Sequence, residues 1–298
     1  MSADRAVATA TLIGGSAVLM WGSLALLTTW TGGIPPFQLV AMSFSVAFLL
    51  ALGKWLLRRE PLLVHLRHPP AVWAVGLGGL FGYHFLYFLA LRNAPPAEAS
   101  LIAYLWPLLI VLFSALLPGE RLRWYHLAGV LTGLAGCAVL IGGDGSSLDF
   151  AGAHATGYLA ALAAALVWSG YSVLSRRLGA LPTDTVGWFC AGSATLGLVC
   201  HLIFEATVWP SHTGQWLAAV GLGLGPVGLA FFVWDIGVKR GNIKILGAMS
   251  YGAPLISTLA LVAFGKAEPT TALGVACFCI VGGAVLAAKD MFRRRSAA

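Results

Sequence analysis

Two short motifs place a proline beside aromatic residues inside long apolar stretches of the chain. The first is Tyr-Leu-Trp-Pro at residues 104–107, and the second is Tyr-Gly-Ala-Pro at residues 251–254. A proline within a helix donates no backbone hydrogen bond and crowds the carbonyl four residues earlier. Pro107 and Pro254 are therefore each expected to free one carbonyl, that of Ser250 in the second motif, and in lipid such a group needs a partner or a wet cavity. The motifs predict two broken helices that offer backbone groups to a ligand; kinks that only shape packing are the alternative.

Further aromatic residues lie near the middle of the apolar stretches, away from the membrane interfaces that tryptophan and tyrosine usually occupy. With the motif residues, the set is Trp21, Tyr83, Tyr87, Tyr104, Trp106, Trp168, Trp234 and Tyr251. Aromatic rings pack edge to face or offset, so a converging set would select planar aromatic or bulky apolar ligands. Tyr104 and Trp106 are about 200° apart on a regular helix, so both face one cavity only if Pro107 distorts the turn. For each residue singly, core or lipid packing is an equal alternative.

His84 also lies at mid-membrane depth, where an ionisable residue is costly and indicates function. Tyr83 and Tyr87 are four residues apart and share a helix face beside it. A neutral imidazole can donate to or accept from a ligand, and it can exchange a proton near neutral pH. We therefore predict His84 in the ligand site; a histidine hydrogen-bonded between two helices is the alternative.

No lysine or arginine is expected at mid-membrane depth, where it could bind the carboxylate of a ligand. Asp235 is the deepest acid, but Lys239 follows four residues later, which predicts a structural ion pair near one membrane face. Glu205 lies near the end of its apolar run and is expected to reach the lipid headgroups. A zwitterionic ligand would then bind through carbonyls freed at the helix breaks, backbone N–H groups, tyrosine hydroxyls and His84.

Motifs for enzymes, cofactors and metals are missing or out of place. Residues 223–228 have the Gly-x-Gly-x-x-Gly form of a dinucleotide site, but they lie inside an apolar run with no preceding strand. Close helix packing explains these glycines better, as it does Gly129 and Gly133. The five cysteines lack metal-site spacing and are expected to be reduced. The sequence predicts no enzyme, no cofactor and no metal.

The composition is that of an all-α polytopic membrane protein. The 298 residues are 59% hydrophobic and 10% charged, which no soluble domain of this size accommodates. Ten apolar runs are long enough to span a bilayer, and they cover 9–30, 36–57, 71–91, 97–117, 124–142, 156–175, 185–207, 215–238, 244–265 and 270–288. The first is too long for a signal peptide and is expected to remain as a span. Tryptophans assigned to the interfacial belts are Trp30, Trp55, Trp73, Trp124, Trp209 and Trp216.

Lysine and arginine indicate the orientation of these spans. Sixteen of them fall on one side, and only Arg92 and Lys266 fall on the other. Because basic loops stay in the cytoplasm, both termini are expected to be cytoplasmic. The net charge of +7 is thus a topology signal, and no nucleic-acid partner is expected. The loop 142–154 contains Asp144 and Asp149 but no basic residue, as expected for the far side.

An internal repeat appears when the sequence is shifted by 147 residues. The shift aligns Trp21 with Trp168, Gly76 with Gly223, Gly78 with Gly225, Tyr87 with Trp234, Arg92 with Lys239, Tyr104 with Tyr251, Pro107 with Pro254 and Leu108 with Leu255. Residues 1–147 and 148–298 then hold five spans each. Because five is odd, the second half enters the membrane from the opposite side, which predicts an inverted repeat and a ligand site between two exchanging halves.

Ten spans in two inverted halves resemble the drug/metabolite transporter superfamily, EamA type. The residues that carry the resemblance are Trp-Gly-Ser at 21–23, Trp-Ser-Gly at 168–170 and Pro-Gly-Glu-Arg-Leu at 118–122. Three further segments are similar to the YddG-type aromatic amino acid exporters. They are residues 104–107, Gly-Gly-Asp at 142–144, and the segment from Trp234 through 241–242 to 250–254. Small multidrug members of the superfamily carry a glutamate in their first span, whereas residues 9–30 contain no acid, so carboxylate-coupled cation antiport is not expected.

The resemblance implies export of phenylalanine, tyrosine and tryptophan across a bacterial inner membrane by alternating access. The expected partners are the aromatic amino acid and the lipid bilayer, with one chain sufficient for function. Export of another small metabolite, or of an aromatic or cationic drug, is the alternative. A passive channel also stays open, and so do proton coupling through His84 and facilitated diffusion.

Overall fold

The computed structural model describes residues 3–142, 152–265 and 268–289, and within these ranges the chain forms helices and no strand. Eight helical stretches are long and apolar enough to cross a membrane: Asp4–Trp30, Pro36–Leu57, Pro70–Asn93, Trp124–Gly142, Gly152–Arg177, Thr185–Phe204, Thr213–Arg240 and Ile243–Ala263. Two shorter apolar helices, Glu98–Ser114 and Thr271–Ala287, accompany them. The prediction of an all-helical polytopic membrane protein is confirmed. Predictions on Asp144, Asp149, Lys266 and residues 293–295 concern positions outside the described ranges.

Breaks divide several of these stretches into shorter helices. In chain order the α-helices are α1 Ala3–Gly22, α2 Leu24–Trp30, α3 Pro36–Leu57, α4 Pro70–Leu77, α5 Tyr83–Asn93, α6 Pro96–Ala103, α7 Trp106–Ser114, α8 Trp124–Gly142, α9 Ala155–Arg177, α10 Thr185–Phe204, α11 Thr213–Leu224, α12 Ala230–Arg240, α13 Ile243–Met249, α14 Gly252–Ala263 and α15 Thr271–Ala287. The breaks α6–α7 and α13–α14 lie at the two proline motifs, as predicted.

Two π-helical turns form further breaks, at Gly78–Gly82 between α4 and α5 and at Gly225–Leu229 between α11 and α12. Gly78 and Gly225 are separated by the same 147 residues that relate the sequence repeats. A π turn widens the helix and weakens its hydrogen-bond ladder, which makes carbonyls available to other groups. The second turn permits only glycine at position 228, because a Cβ there would lie 1.7 Å from the carbonyl oxygen of Gly223.

The most extensive helix contacts are α8 with α15, α3 with α10, α1 with α12, and α5 with α9. In each of the first two pairs, the two helices are related to each other by the 147-residue shift. The same shift relates the α1–α12 pair to the α9–α5 pair. The backbones of α1 and α12 approach closely, since a Cβ on Gly14 would lie 2.6 Å from the Cα of Gly237. Gly129 and Gly133 face the α15 backbone and the Tyr251 ring, so the prediction that they are packing glycines is confirmed.

Three expectations are wrong in detail. Glu205 does not reach the headgroups: its side chain is 3% exposed, and its two carboxylate oxygens accept the backbone N–H groups of Phe37 and Gln38 at 3.0 Å each. The first turn of α3 has unsatisfied N–H groups, and a carboxylate is a favourable partner for them. Trp55 does not face the lipid headgroups, because it is fully buried between the rings of His65 and Trp188. The carbonyl of Ser250 accepts the N–H of Ala253 at 3.1 Å, so Pro254 does not leave it free.

Candidate functional site

Four tryptophans from four different helices form one cluster in the middle of the molecule. Trp21 ends α1, Trp106 begins α7, and Trp168 and Trp234 lie within α9 and α12. All six pairs of rings have centroids 5.0–6.3 Å apart, and most meet edge to face. Three of the rings are buried, and Trp21 is half-buried. This Trp cluster brings together all four tryptophans that the sequence placed in the site.

Hydrogen bonds hold the Trp cluster in place. The indole N–H of Trp21 donates to the carbonyl of Pro226 in the second π turn at 3.1 Å. The indole N–H of Trp234 donates to the hydroxyl of Ser172 at 3.1 Å. The hydroxyl of Ser169 lies 2.9 Å from the carbonyl of Trp106 in the first broken helix and 2.6 Å from that of Ala165 in its own helix, and its one hydrogen is shared between them. A buried indole N–H needs a partner, so the bonds of Trp21 and Trp234 each favour one ring orientation.

Three tyrosines lie on one side of the Trp cluster. The rings of Tyr83 and Tyr87 are stacked at 5.8 Å, and Tyr83 packs against Trp168 at 5.7 Å. The hydroxyl of Tyr87 lies 2.9 Å from that of Ser100 in α6. Tyr104, at the helix break, packs like Tyr83 against the buried core that contains Trp106 and Trp168. All three side chains are half-buried, so the structure combines a hydroxyl-rich layer with an aromatic one.

His84 turns toward phenylalanine rings. Its Nδ1 lies 2.7 Å from the carbonyl of Leu80, one turn earlier in the same stretch, so Nδ1 carries the hydrogen and Nε2 is left as an acceptor. The imidazole packs edge-on against Phe44 at 5.4 Å and Phe231 at 6.3 Å. The alternative of a bond between two helices does not describe this histidine, because its hydrogen bond is local. It borders the site through Phe231, whose ring also contacts Trp168.

Tyr251 does not join the Trp cluster, although it is the repeat mate of Tyr104. It is fully buried in a second hydrophobic cluster with Val111, Val130 and Ile280. Gly133 of α8 faces its ring. The two broken helices thus differ: one presents its tyrosine beside Tyr83 and Tyr87, and the other packs its tyrosine into the core.

Sequence reasoning missed several residues that shape the site. Phe231 and Phe44 stack at 5.6 Å and extend the aromatic wall, and Ser169 and Ser172 fix the tryptophans. Phe231 precedes Trp234 by three residues, so it lies on the same helix face. That spacing could have identified it.

Within the described ranges, one set of side chains has metal-ligand spacing: Glu60, His65 and Asp184, with ligand atoms within 4.8 Å of one another. It lies at helix ends, and the ammonium group of Lys54 contacts Asp184. A bound lysine already neutralises that carboxylate, so the cluster is explained as an ion pair. The described cysteines are all free and form no disulfide, as predicted.

The chain matches the EamA-like transporter family twice, over residues 9–142 and 155–288. The chain belongs to this family. It is 55% identical over 278 residues to the aromatic amino acid exporter YddG of Ancylobacter novellus, covering 93% of this chain and 96% of that protein. It is 26% identical to the protein of the same name from Salmonella typhimurium, covering 87% and 89% of the two chains. A crystal structure with 53% sequence identity superimposes with a TM-score of 0.91 over 96% of this chain and 98% of that one.

The family and these relatives identify a membrane transporter of the exporter type and argue against an enzyme. The resemblance to the EamA type and to YddG-type exporters that the sequence motifs suggested is confirmed.

Proposed function

We propose that this protein exports aromatic amino acids across the bacterial inner membrane by alternating access. The observation that carries the proposal is the Trp cluster. Four helices each contribute one indole ring to it in the middle of the bundle, next to the tyrosine layer. An aromatic side chain entering such a site exchanges ring contacts with indoles, each worth about 0.5–1.5 kcal/mol beyond burial. The tyrosine hydroxyls and Ser100 supply hydrogen bonds for the polar end of the substrate.

The proposed architecture is ten spans in two inverted halves of five, residues 1–147 and 148–298, with both termini in the cytoplasm. The double family match, the paired π turns and a contact pattern that the 147-residue shift leaves unchanged all support this division. The distribution of lysine and arginine supports the orientation. In this architecture, α8 and α15 pair across the two-fold axis, as do α3 and α10.

The conformation seen here is proposed to be closed toward the cytoplasm. At the basic end of the bundle, Glu120 accepts from Arg176 at 3.0 Å and from Lys244 at 2.8 Å. Arg176 also donates to the carbonyls of Val238 and Gly241 at the C-terminal end of α12, at 2.9 and 2.7 Å. These bonds join loops from both halves.

The repeat-related positions at the opposite end of the bundle do not carry the charged residues of this network. The 147-residue shift places Thr29, Ala97 and Ala267 opposite Arg176, Lys244 and Glu120. The difference favours a resting state that opens away from the basic side, where Tyr83, Tyr87 and Tyr104 are half-buried.

Uptake of labelled tryptophan into proteoliposomes tests the proposed substrate class, with alanine measured in parallel. Saturable tryptophan flux that phenylalanine inhibits, with weak alanine flux, is the expected result. Comparable alanine flux would replace the aromatic assignment with a broader metabolite exporter. No flux of either compound by folded, inserted protein would remove the amino acid assignment.

A further inference from the structure

The loop between α3 and α4, residues 58–69, exposes apolar side chains at the basic end of the bundle. It connects the spans Pro36–Leu57 and Pro70–Asn93. Leu63 and Val64 in this loop are 62% and 54% exposed, and Leu57 at the end of α3 is 88% exposed. Loops outside the spans are usually polar. An exposed apolar group bordered by charged residues marks an interaction surface.

Contacts on its inner side fix this loop to α3 and α10. The indole N–H of Trp188 in α10 donates to the carbonyl of Leu62 at 3.2 Å. The ring of His65 is buried and stacks on that of Trp55 in α3, with centroids 5.2 Å apart. Because the inner side of the loop is held in this way, the exposure of Leu63 and Val64 on its outer side is a fixed feature of the fold.

Three exposed arginines, Arg58, Arg59 and Arg67, accompany the apolar side chains. The loop has one acid, Glu60, whose carboxylate lies within 4.8 Å of that of Asp184 at the start of α10. Among the described residues, no carboxylate forms an ion pair with any of the three guanidinium groups. The surface therefore combines apolar groups with positive charge that the protein does not neutralise.

Arg59 keeps its side chain in a backbone conformation that favours glycine. Its φ is 54°, and it closes α3 with a left-handed turn. The N–H groups of Arg59 and Glu60 donate to the carbonyls of Leu56 and Trp55 at 3.2 and 2.9 Å, which is the Schellman arrangement. A side chain strains the left-handed conformation, so glycine is the usual residue there. The other described residues with positive φ are all glycines: Gly32, Gly119 and Gly265.

Two general effects place cations in this region, and neither requires arginine at position 59. The rule that basic loops stay in the cytoplasm needs positive charge in the loop but no particular backbone position. The dipole of α3 favours a cation near its C-terminal end, where Lys54 and Arg58 already lie. The guanidinium group of Arg59 therefore has a role outside the fold, next to the exposed apolar side chains.

We propose that the α3–α4 loop binds an anionic phospholipid of the leaflet at the basic end of the bundle. Arg58, Arg59 and Arg67 bind the phosphate group, since a guanidinium group can donate two parallel hydrogen bonds to phosphate oxygens. The three exposed apolar side chains contact the acyl chains below it. Basic clusters beside a membrane span commonly recognise anionic lipids. This lipid site does not depend on the identity of the transported substrate.

Native mass spectrometry of the purified protein in detergent tests the lipid site, with bound lipid counted during titration. The probes are phosphatidylglycerol, which is anionic, and phosphatidylcholine, which is zwitterionic, with inorganic phosphate as a competitor. The wild-type protein is expected to bind phosphatidylglycerol at least about tenfold more tightly than phosphatidylcholine. Inorganic phosphate at the same concentration should not compete, because it makes no acyl-chain contacts.

Arg59→Gly separates lipid binding from folding. It removes one charge but fits the left-handed backbone, so the melting temperature in lipid-free detergent should stay the same or rise. Its affinity for phosphatidylglycerol should fall about fivefold. The matched control is Arg240→Gln, which removes an exposed cation at the end of α12 and should keep the wild-type affinity. The triple variant Arg58→Gln/Arg59→Gly/Arg67→Gln should bind the two lipids equally.

Equal binding of the two lipids by the wild-type protein would overturn the lipid site, and so would a preference that survives in the triple variant. Either result would leave the arginines as determinants of topology alone. Competition by inorganic phosphate at the same concentration would also contradict the proposal, because it would identify a site for free anions.

Discussion

The indole rings of Trp21 and Trp234 lie 5.0 Å apart between centroids, the shortest separation within the Trp cluster. They belong to α1 and α12, two helices that cross closely at Gly14 and Gly237. The rings cannot move far apart unless the crossing changes or the rings rotate out of their hydrogen bonds. Passage of a substrate through the Trp cluster is therefore linked to the packing of helices from both halves.

Removing one ring of the Trp cluster should impair transport. Trp168→Ala deletes contacts to three tryptophans and to Tyr83, so tryptophan transport should fall about tenfold or more. The matched control is Trp124→Ala, since that ring is 67% exposed and remote from the cluster. Initial rates in proteoliposomes measure the effect, and equal rates for the two variants would exclude a role for the cluster.

The hydroxyl of Tyr87 should contribute to substrate affinity. Tyr87→Phe keeps the stacked ring but removes the bond to Ser100, which should raise the KM for tryptophan about two- to tenfold, as for loss of one hydrogen bond. Tyr251→Phe is the control, because that ring is fully buried away from the cluster. An equal rise in KM for both variants would remove the distinction between the two broken helices.

The second π turn should be intolerant of a side chain at one position. Gly228→Ala would place a Cβ 1.7 Å from the carbonyl of Gly223, so the variant should lose folded protein or most of its transport. Gly78→Ala, in the equivalent first turn, has open space around its Cβ and should be tolerated. Size-exclusion profiles and melting temperatures in detergent distinguish the two, and a stable Gly228→Ala would show that the turn can relax.

The carboxylate of Glu205 should stabilise the fold. Glu205→Gln weakens the charged acceptor of two backbone N–H groups and of His201, at a cost of about 1–3 kcal/mol. The melting temperature should therefore fall by several degrees. Glu268→Gln changes an exposed carboxylate and should leave it unaltered. A melting temperature that does not move in Glu205→Gln would contradict this assignment.

The network around Glu120 should hold the cytoplasmic side closed. Glu120→Gln weakens bonds to Arg176 and Lys244, and a loss of about 1 kcal/mol would raise the open population roughly fivefold. The readout is the labelling rate of a cysteine placed at Ser175, in protein whose five native cysteines are replaced. Glu60→Gln serves as the control. An unchanged labelling rate in Glu120→Gln would show that contacts other than those of Glu120 keep the cytoplasmic side closed.

The sequence predicted the two proline breaks and the four clustered tryptophans because both follow from local chemistry and one repeat. The two π turns and the break between α1 and α2 were not predicted. Proline marks a break wherever it lies inside a helix, and a constant 147-residue shift showed which aromatic residues are equivalent. Tyr251 could not be placed in this way. Equivalence in sequence does not make two environments equal: Tyr104 is half-buried, whereas Tyr251 is fully buried.

Glu205, Trp55 and the carbonyl of Ser250 were misplaced for a different reason. The position of a residue along a membrane span does not indicate which neighbouring groups its side chain contacts. Glu205 finds the N-terminus of α3, which is distant in sequence, and Ser250 finds an N–H three residues later that a regular helix would not offer. The spacing of Asp235 and Lys239 predicted their ion pair, but its burial depends on Thr183 and Leu181 of the α9–α10 loop, which only the folded chain brings against it.

The most direct test of the central claim is counterflow of labelled tryptophan into proteoliposomes preloaded with unlabelled phenylalanine. Alternating access at an aromatic site predicts saturable uptake that internal phenylalanine accelerates and internal alanine does not. Trp168→Ala should lower this uptake about tenfold or more, and Trp124→Ala should preserve it. Uptake that rises linearly with tryptophan concentration and ignores the internal amino acid would contradict the account and indicate a passive channel.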